Sequence, residues 1–110
     1  MMESLIERAF LFLCGHALAD TALQTSWIAT NKSRHAKDSG LPKGGWVFVL
    51  SCHALIHGLM VYLITGSATL GIFETVAHAA IDFGKCEGWY SFYTDQCFHL
   101  VCKGIYLWMM

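Results

Sequence analysis

At 110 residues the chain is long enough for one domain. Hydrophobic residues make up 55% of it and charged residues 14%, against roughly 25% charged in an average soluble chain. With a mean hydropathy of +0.47, this argues against an ordinary soluble domain and for a membrane protein. A net charge of -1 offers no global field to draw nucleic acid.

Four apolar segments follow one another, about 5–30, 46–65, 68–86 and 91–110. Each is long enough to cross a ~30 Å hydrocarbon core as a helix. The start, Met-Met-Glu-Ser-Leu-Ile-Glu-Arg, lacks a basic region and a cleavage site, so the first segment is expected to stay as a spanning helix. Residues 31–45 form a polar loop holding Lys32, Arg34, Lys37 and Lys43, with Gly40, Pro42, Gly44 and Gly45 as breakers. Short turns at Gly66-Ser67 and Glu87-Gly88 make consecutive helices antiparallel neighbours. The expectation is an all-α, integral-membrane four-helix up-and-down bundle in a single domain. The positive-inside rule places the basic loop in the cytoplasm. Trp27, Trp89, Tyr90, Phe92, Tyr93 and Trp108 read as interfacial anchors.

Every segment carries ionisable residues one helical turn apart. The first gives His16, Asp20 and Gln24, the second His53 and His57. The third gives Glu74, His78 and Asp82, then Lys85, and the fourth Asp95, Gln96 and His99. Four-residue spacing stacks each set on one helix face, and such groups are costly in lipid unless they meet partners. Counted at ~1.5 Å per residue from the cytoplasmic ends, Asp20, His53, His57, His78, Asp82 and His99 fall roughly 8 to 16 Å deep. Ligands from four helices thus share one slab.

Imidazole with carboxylate suits zinc, manganese or iron. Nine candidate groups exceed the four that a closed structural zinc site needs, so two or more divalent ions are expected. The ligand set is His16, Asp20, His53, His57, His78, Asp82 and His99. Glu74 or Asp95 would be the general base. Gln24 and Gln96 would orient the ligands, and Lys85 would bind a substrate phosphate or snorkel to the interface. Such a centre would hydrolyse a lipid-like or phosphorylated substrate of the inner leaflet. The five cysteines form no CxxC pair and read as packing residues, with Cys52, beside His53, the one ligand candidate.

Three other readings compete. Carboxylate and histidine chains also mark ion or proton transport, for which four short helices leave little room unless the chain forms a homo-oligomer. Histidine pairs across helices could hold haem, which the surrounding carboxylates disfavour. A small phage-type membrane interaction protein could use the polar face only to hold its bundle together.

Gly15-His-Ala-Leu-Ala-Asp20, Leu23-Gln-Thr-Ser-Trp-Ile28 with Asn31-Lys32, and His53-Ala-Leu-Ile-His57-Gly58 resemble the bacterial and phage membrane family catalogued as domain of unknown function 3307. Glu74-x3-His78-x3-Asp82-x2-Lys85 and Asp95-Gln96-x2-His99 fit the same pattern, so the resemblance spans nearly the whole chain. It implies no activity. The chain is also similar in style to short, His- and Asp-rich membrane proteins described as metal-dependent hydrolases, an analogy that does not fix function.

Overall fold

The computed structural model describes residues 2–110, and the chain is all-helical, with no strand among the described residues. The helices are α1 (Met2–Ala17), α2 (Ser26–Asn31), α3 (Gly45–Thr65), α4 (Ala68–Cys86) and α5 (Phe92–Met109). The first apolar segment, expected as one helix over 5–30, is not continuous. After Ala17 it widens into a π-turn, Leu18–Ala22, where Leu23 N–H donates to Leu18 O at 2.9 Å. The chain then restarts at α2, whose first turn is capped by Thr25 Oγ1 accepting from Ile28 N–H at 3.2 Å. No proline or glycine lies within 18–31 to announce the break. Such π-turns are frequent at functional sites.

Local chemistry sets the other boundaries. Gly66 ends α3 in the left-handed region at φ 70, a conformation that costs a Cβ-bearing residue strain. Ser67 then caps α4 through Leu70 N–H, and Ser91 caps α5 through Thr94 N–H, both at 3.2 Å. The two-residue link makes α3 and α4 antiparallel, and α1 packs on α3 and α5 while α4 packs on the same pair. The four long helices therefore enclose a common centre.

One residue sets how closely α3 and α4 approach. A Cβ on Gly58 would stand 2.0 Å from Thr75 Oγ1 and 2.7 Å from the Gly71 carbonyl oxygen, so only glycine fits. The contact brings His57, the preceding residue, against His78, with ring centroids 3.6 Å apart.

The centre is polar and the outside apolar. Of the six largest fully buried side chains, His53, His57, His78, His99, Glu74 and Val61, only Val61 is apolar. Asn31, Lys32, Asp82, Asp95 and Lys103 are buried as well. Phe48, Leu63, Ile72, Val76 and Val101 face outward, each at least 60% exposed. An apolar cluster of Phe12, Val61, Leu70 and Tyr106 closes the end of the bundle nearer the α3–α4 turn. Among the described residues, only α3 is both long and apolar enough to cross a membrane. The other long helices carry charged residues, Glu7 and Arg8 in α1, Glu74, Asp82 and Lys85 in α4, and Asp95 and Lys103 in α5.

Candidate metal centre

Four imidazoles, His53 and His57 from α3, His78 from α4 and His99 from α5, are at most 1% exposed. Each has a buried Nε2 with no hydrogen-bond partner. Left that way, such atoms cost free energy. They converge on carboxylate oxygens. Asp20 Oδ1 lies 3.3 Å from His53 Nε2, 3.2 Å from His57 Nε2 and 4.0 Å from His78 Nε2. Asp95 Oδ1, itself unpartnered, lies 3.3 Å from His99 Nε2.

Asp82 joins the two groups. Its Oδ2 lies 3.4 Å from His53 Nε2 and 3.5 Å from His78 Nε2, and its Oδ1 3.4 Å from His99 Nε2. One oxygen faces the Asp20 side and the other the Asp95 side, the disposition of a carboxylate bridging two positions. Separations near 3.3 Å are long for hydrogen bonds. They match the edge of a tetrahedron whose corners lie ~2.0–2.1 Å from a central ion. Within-group donor atoms lie within 4.8 Å of one another in the sets Asp20–His53–His57–His78, Glu74–His78–His99 and Asp82–Asp95–His99. The donor set therefore fits divalent metal ions.

The π-turn is what brings Asp20 to this place. His16 precedes it by one turn, and the two approach to 3.7 Å. His16, expected as a ligand, instead pairs its Nε2 with Gln96 Oε1 at 2.9 Å. Gln96 Nε2 donates to Asp20 Oδ2 and to Asp95 Oδ2, both at 3.0 Å. Gln96 thus clamps the two outer carboxylates and leaves their Oδ1 atoms facing the imidazoles, an orienting role.

Glu74 lies on the Nδ1 side of the His78 ring, opposite Asp82 at Nε2. Its Oε1 is 3.4 Å from His78 Nδ1 and 2.5 Å from Lys103 Nζ, and its Oε2 accepts from Tyr106 O–H at 2.8 Å. A carboxylate facing Nδ1 favours the tautomer that leaves Nε2 bare. Both Glu74 oxygens are thus engaged, by Lys103 and Tyr106, whereas Asp95 Oδ1 is unpartnered beside His99 Nε2. Lys85 sits in the last turn of α4 with Nζ 5.9 Å from the Phe92 ring. Cys52 is exposed.

Lys32, which the sequence places in the polar loop, turns inward instead. It is 5% exposed, and its Nζ donates to Asp82 Oδ2 and to Gln24 Oε1, both at 2.6 Å. Gln24 therefore positions the lysine rather than a ligand. The signal was present, since His16, Asp20, Gln24, Ile28 and Lys32 recur every four residues. Asp95, His99 and Lys103 repeat the interval in α5. His35, in the same segment, pairs with Glu87, whose other oxygen is 2.5 Å from Arg34 Nε. The His35 hydrogen bond, and after it Arg34, hold the Glu87 carboxyl below the ordinary glutamate range. This clasp ties the segment after α2 to the end of α4.

A family described as "Protein of unknown function (DUF3307)" matches residues 9–109, and the chain belongs to it. No curated protein and no solved structure matches the chain.

Proposed function

We propose that the chain is an integral-membrane metal-dependent hydrolase whose centre holds two divalent ions, with zinc, manganese and iron the candidates. The observation that carries the reading is the set of four buried, unpartnered imidazole Nε2 atoms converging on Asp20, Asp82 and Asp95 at 3.2–3.5 Å. A set built only for interhelical hydrogen bonds would satisfy these atoms within the bundle. Three carboxylates against Lys32 leave an excess of two negative charges. One divalent ion neutralises it and a second overcompensates it, so a two-ion centre draws an anion.

The membrane reading rests on the inverted distribution of residues. A polar centre inside an apolar exterior suits a lipid surround, where each buried ionisable group needs a partner. At 1.5 Å per residue the 21 residues of α3 extend ~31 Å, close to the hydrocarbon thickness. Arg34, Lys37 and Lys43 still favour a cytoplasmic loop once Lys32 is withdrawn into the centre.

Bound ions would supply a water-derived nucleophile at neutral pH and neutralise charge on the attacked group. The chain's own part is to fix them. Asp82 would offer one oxygen to each side, Gln96 would orient Asp20 and Asp95, Glu74 would orient His78, and the Lys32 ammonium stabilises negative charge beside Asp82. The fitting substrate class is a lipid-like or phosphorylated molecule of the inner leaflet. In proteoliposomes carrying a short-chain phospholipid, hydrolysis is expected to stop with a chelator and return with added metal. Turnover that continues in excess chelator would refute the reading, and ion flux without hydrolysed product would favour transport.

A further inference from the structure

The donors of the centre do not divide evenly. The first set, Asp20, His53, His57 and His78, offers three imidazoles and one carboxylate, with donor atoms within 4.8 Å of one another. Asp82 Oδ2 stands beside it as a fifth donor, 3.4 Å from His53 Nε2 and 3.5 Å from His78 Nε2. Four protein ligands complete a tetrahedral site and leave no place for a substrate. The second set offers only Asp82, Asp95 and His99. Asp82 Oδ1 and Asp95 Oδ1 lie 3.4 Å and 3.3 Å from His99 Nε2. Three protein ligands, with a position left for water or substrate, are the pattern of a catalytic site.

The polar side chains around the second set are already engaged. Gln96 Nε2 donates to Asp95 Oδ2, and its Oε1 faces His16 Nε2. Glu74, which groups with His78 and His99, has its oxygens held by Lys103 and Tyr106. Asp95 and His99 are 3% and 1% exposed, yet Asp95 Oδ1 and His99 Nε2 have no hydrogen-bond partner. They require a cation, and that cation draws its remaining ligand from outside the chain. The second set is also the shallower. Asp95 stands in the first turn of α5 and Asp82 about one turn before the end of α4, while His53 and His57 lie about two and three turns into α3. The sets differ in ligand type as well, since imidazoles suit zinc and carboxylates suit manganese.

We infer that the two ion positions are unequal. Asp20, His53, His57 and His78 form a closed, zinc-type position, and Asp82, Asp95 and His99 form an open, manganese-type position that takes an oxyanion such as a phosphoryl group. The inference rests on the two-ion reading of the centre and names the position at which its substrate binds. Asp82, with one oxygen on each side, couples the two. The closed position fixes α3 and α4 to the π-turn that carries Asp20, and the open one receives the ligand.

The test uses the detergent-purified full chain, stripped with chelator and dialysed, with zinc, manganese and inorganic phosphate as probes. Zinc alone should titrate in two steps at least about tenfold apart, a difference of ~1.4 kcal/mol. One equivalent of zinc followed by excess manganese should leave about one ion of each per chain by elemental analysis, as the two donor types require. The bound manganese should enhance water-proton relaxation, and inorganic phosphate should reduce that enhancement by displacing water. Asp95→Asn should lose the manganese and keep the zinc. His57→Gln should weaken the tighter zinc step, with His53→Gln as the second variant if circular dichroism shows His57→Gln to have lost helix. Two zinc ions bound with equal affinity, or manganese relaxation indifferent to phosphate, would overturn the unequal positions while leaving a two-ion centre. A zinc-loaded chain that takes no second ion, or a chain that binds none, would remove the two-ion reading as well. Unequal, phosphate-sensitive ions in a chain that hydrolyses nothing would support the inference while removing the hydrolase.

Discussion

Glu74 separates two roles that sequence spacing cannot tell apart. Residues 74, 78 and 82 share one helix face, so a carboxylate at 74 serves equally as base, ligand or support. Its position against His78 Nδ1, with Lys103 and Tyr106 holding both oxygens, is that of a support. Glu74→Gln should therefore lower metal affinity roughly 10- to 100-fold, the usual effect of losing a partner behind a ligand, and hydrolysis should return at saturating metal. Isothermal titration with the metal, beside activity at high metal concentration, checks this. Unchanged affinity with lost turnover would instead make Glu74 the base. Lys32 makes the complementary point. Its four-residue phase with His16, Asp20 and Gln24 was legible, but neighbouring Arg34, Lys37, Gly40 and Pro42 gave it the look of a loop lysine. Only the fold at α2 turns it toward Asp82.

Among the elements, α3 and α4 owe their legibility to long apolar runs bounded by Gly66-Ser67. The break in the first segment left only a weak mark, because no proline or glycine lies between 18 and 31 and Thr25, which caps α2, also occurs inside helices. What opposes continuity is tertiary, since Asp20 must reach His53 and His57 while Lys32 reaches Asp82. The α3–α4 contact is the element on which the imidazole cluster most depends. Gly58→Ala would drive a methyl to 2.0 Å from Thr75 Oγ1 and 2.7 Å from backbone, and should destabilise the fold by about 1–3 kcal/mol. Thermal melting should show the loss, and pairing it with Thr75→Ala, which removes the hydroxyl, should leave part of it, because the Gly71 carbonyl still blocks. A melting temperature equal to that of the parent would contradict the close approach.

The clasp of Glu87 on His35 and Arg34 gives a pH test at the same scale. Its carboxyl titrates lower in the folded than in the unfolded chain, so the stability it adds is present above the ordinary glutamate value of 4.5. It fades as pH falls through the lowered folded value. Comparing the parent with Glu87→Gln, the melting-temperature gap should be widest near neutral pH and close toward strongly acid pH. A gap that widens on acidification would reverse the assigned sign.

For the whole molecule, the polar centre and apolar exterior are one fact seen from two sides. Composition and the recurrent four-residue interval made an all-helical chain with inward ionisable stripes legible from sequence. Which donors would face one another was not, because depth along a helix ignores rotation about its axis. His16, expected among the ligands, faces Gln96, while Asp95, expected as a base, lies beside His99 Nε2. The most direct measurement is elemental analysis of the chain purified in detergent without chelator. About two divalent ions per chain are expected, as a bridged two-metal centre requires, falling to one or none in Asp82→Asn with helix content by circular dichroism retained. A folded, monodisperse chain that carries no metal and takes up none on addition would contradict the metal centre outright.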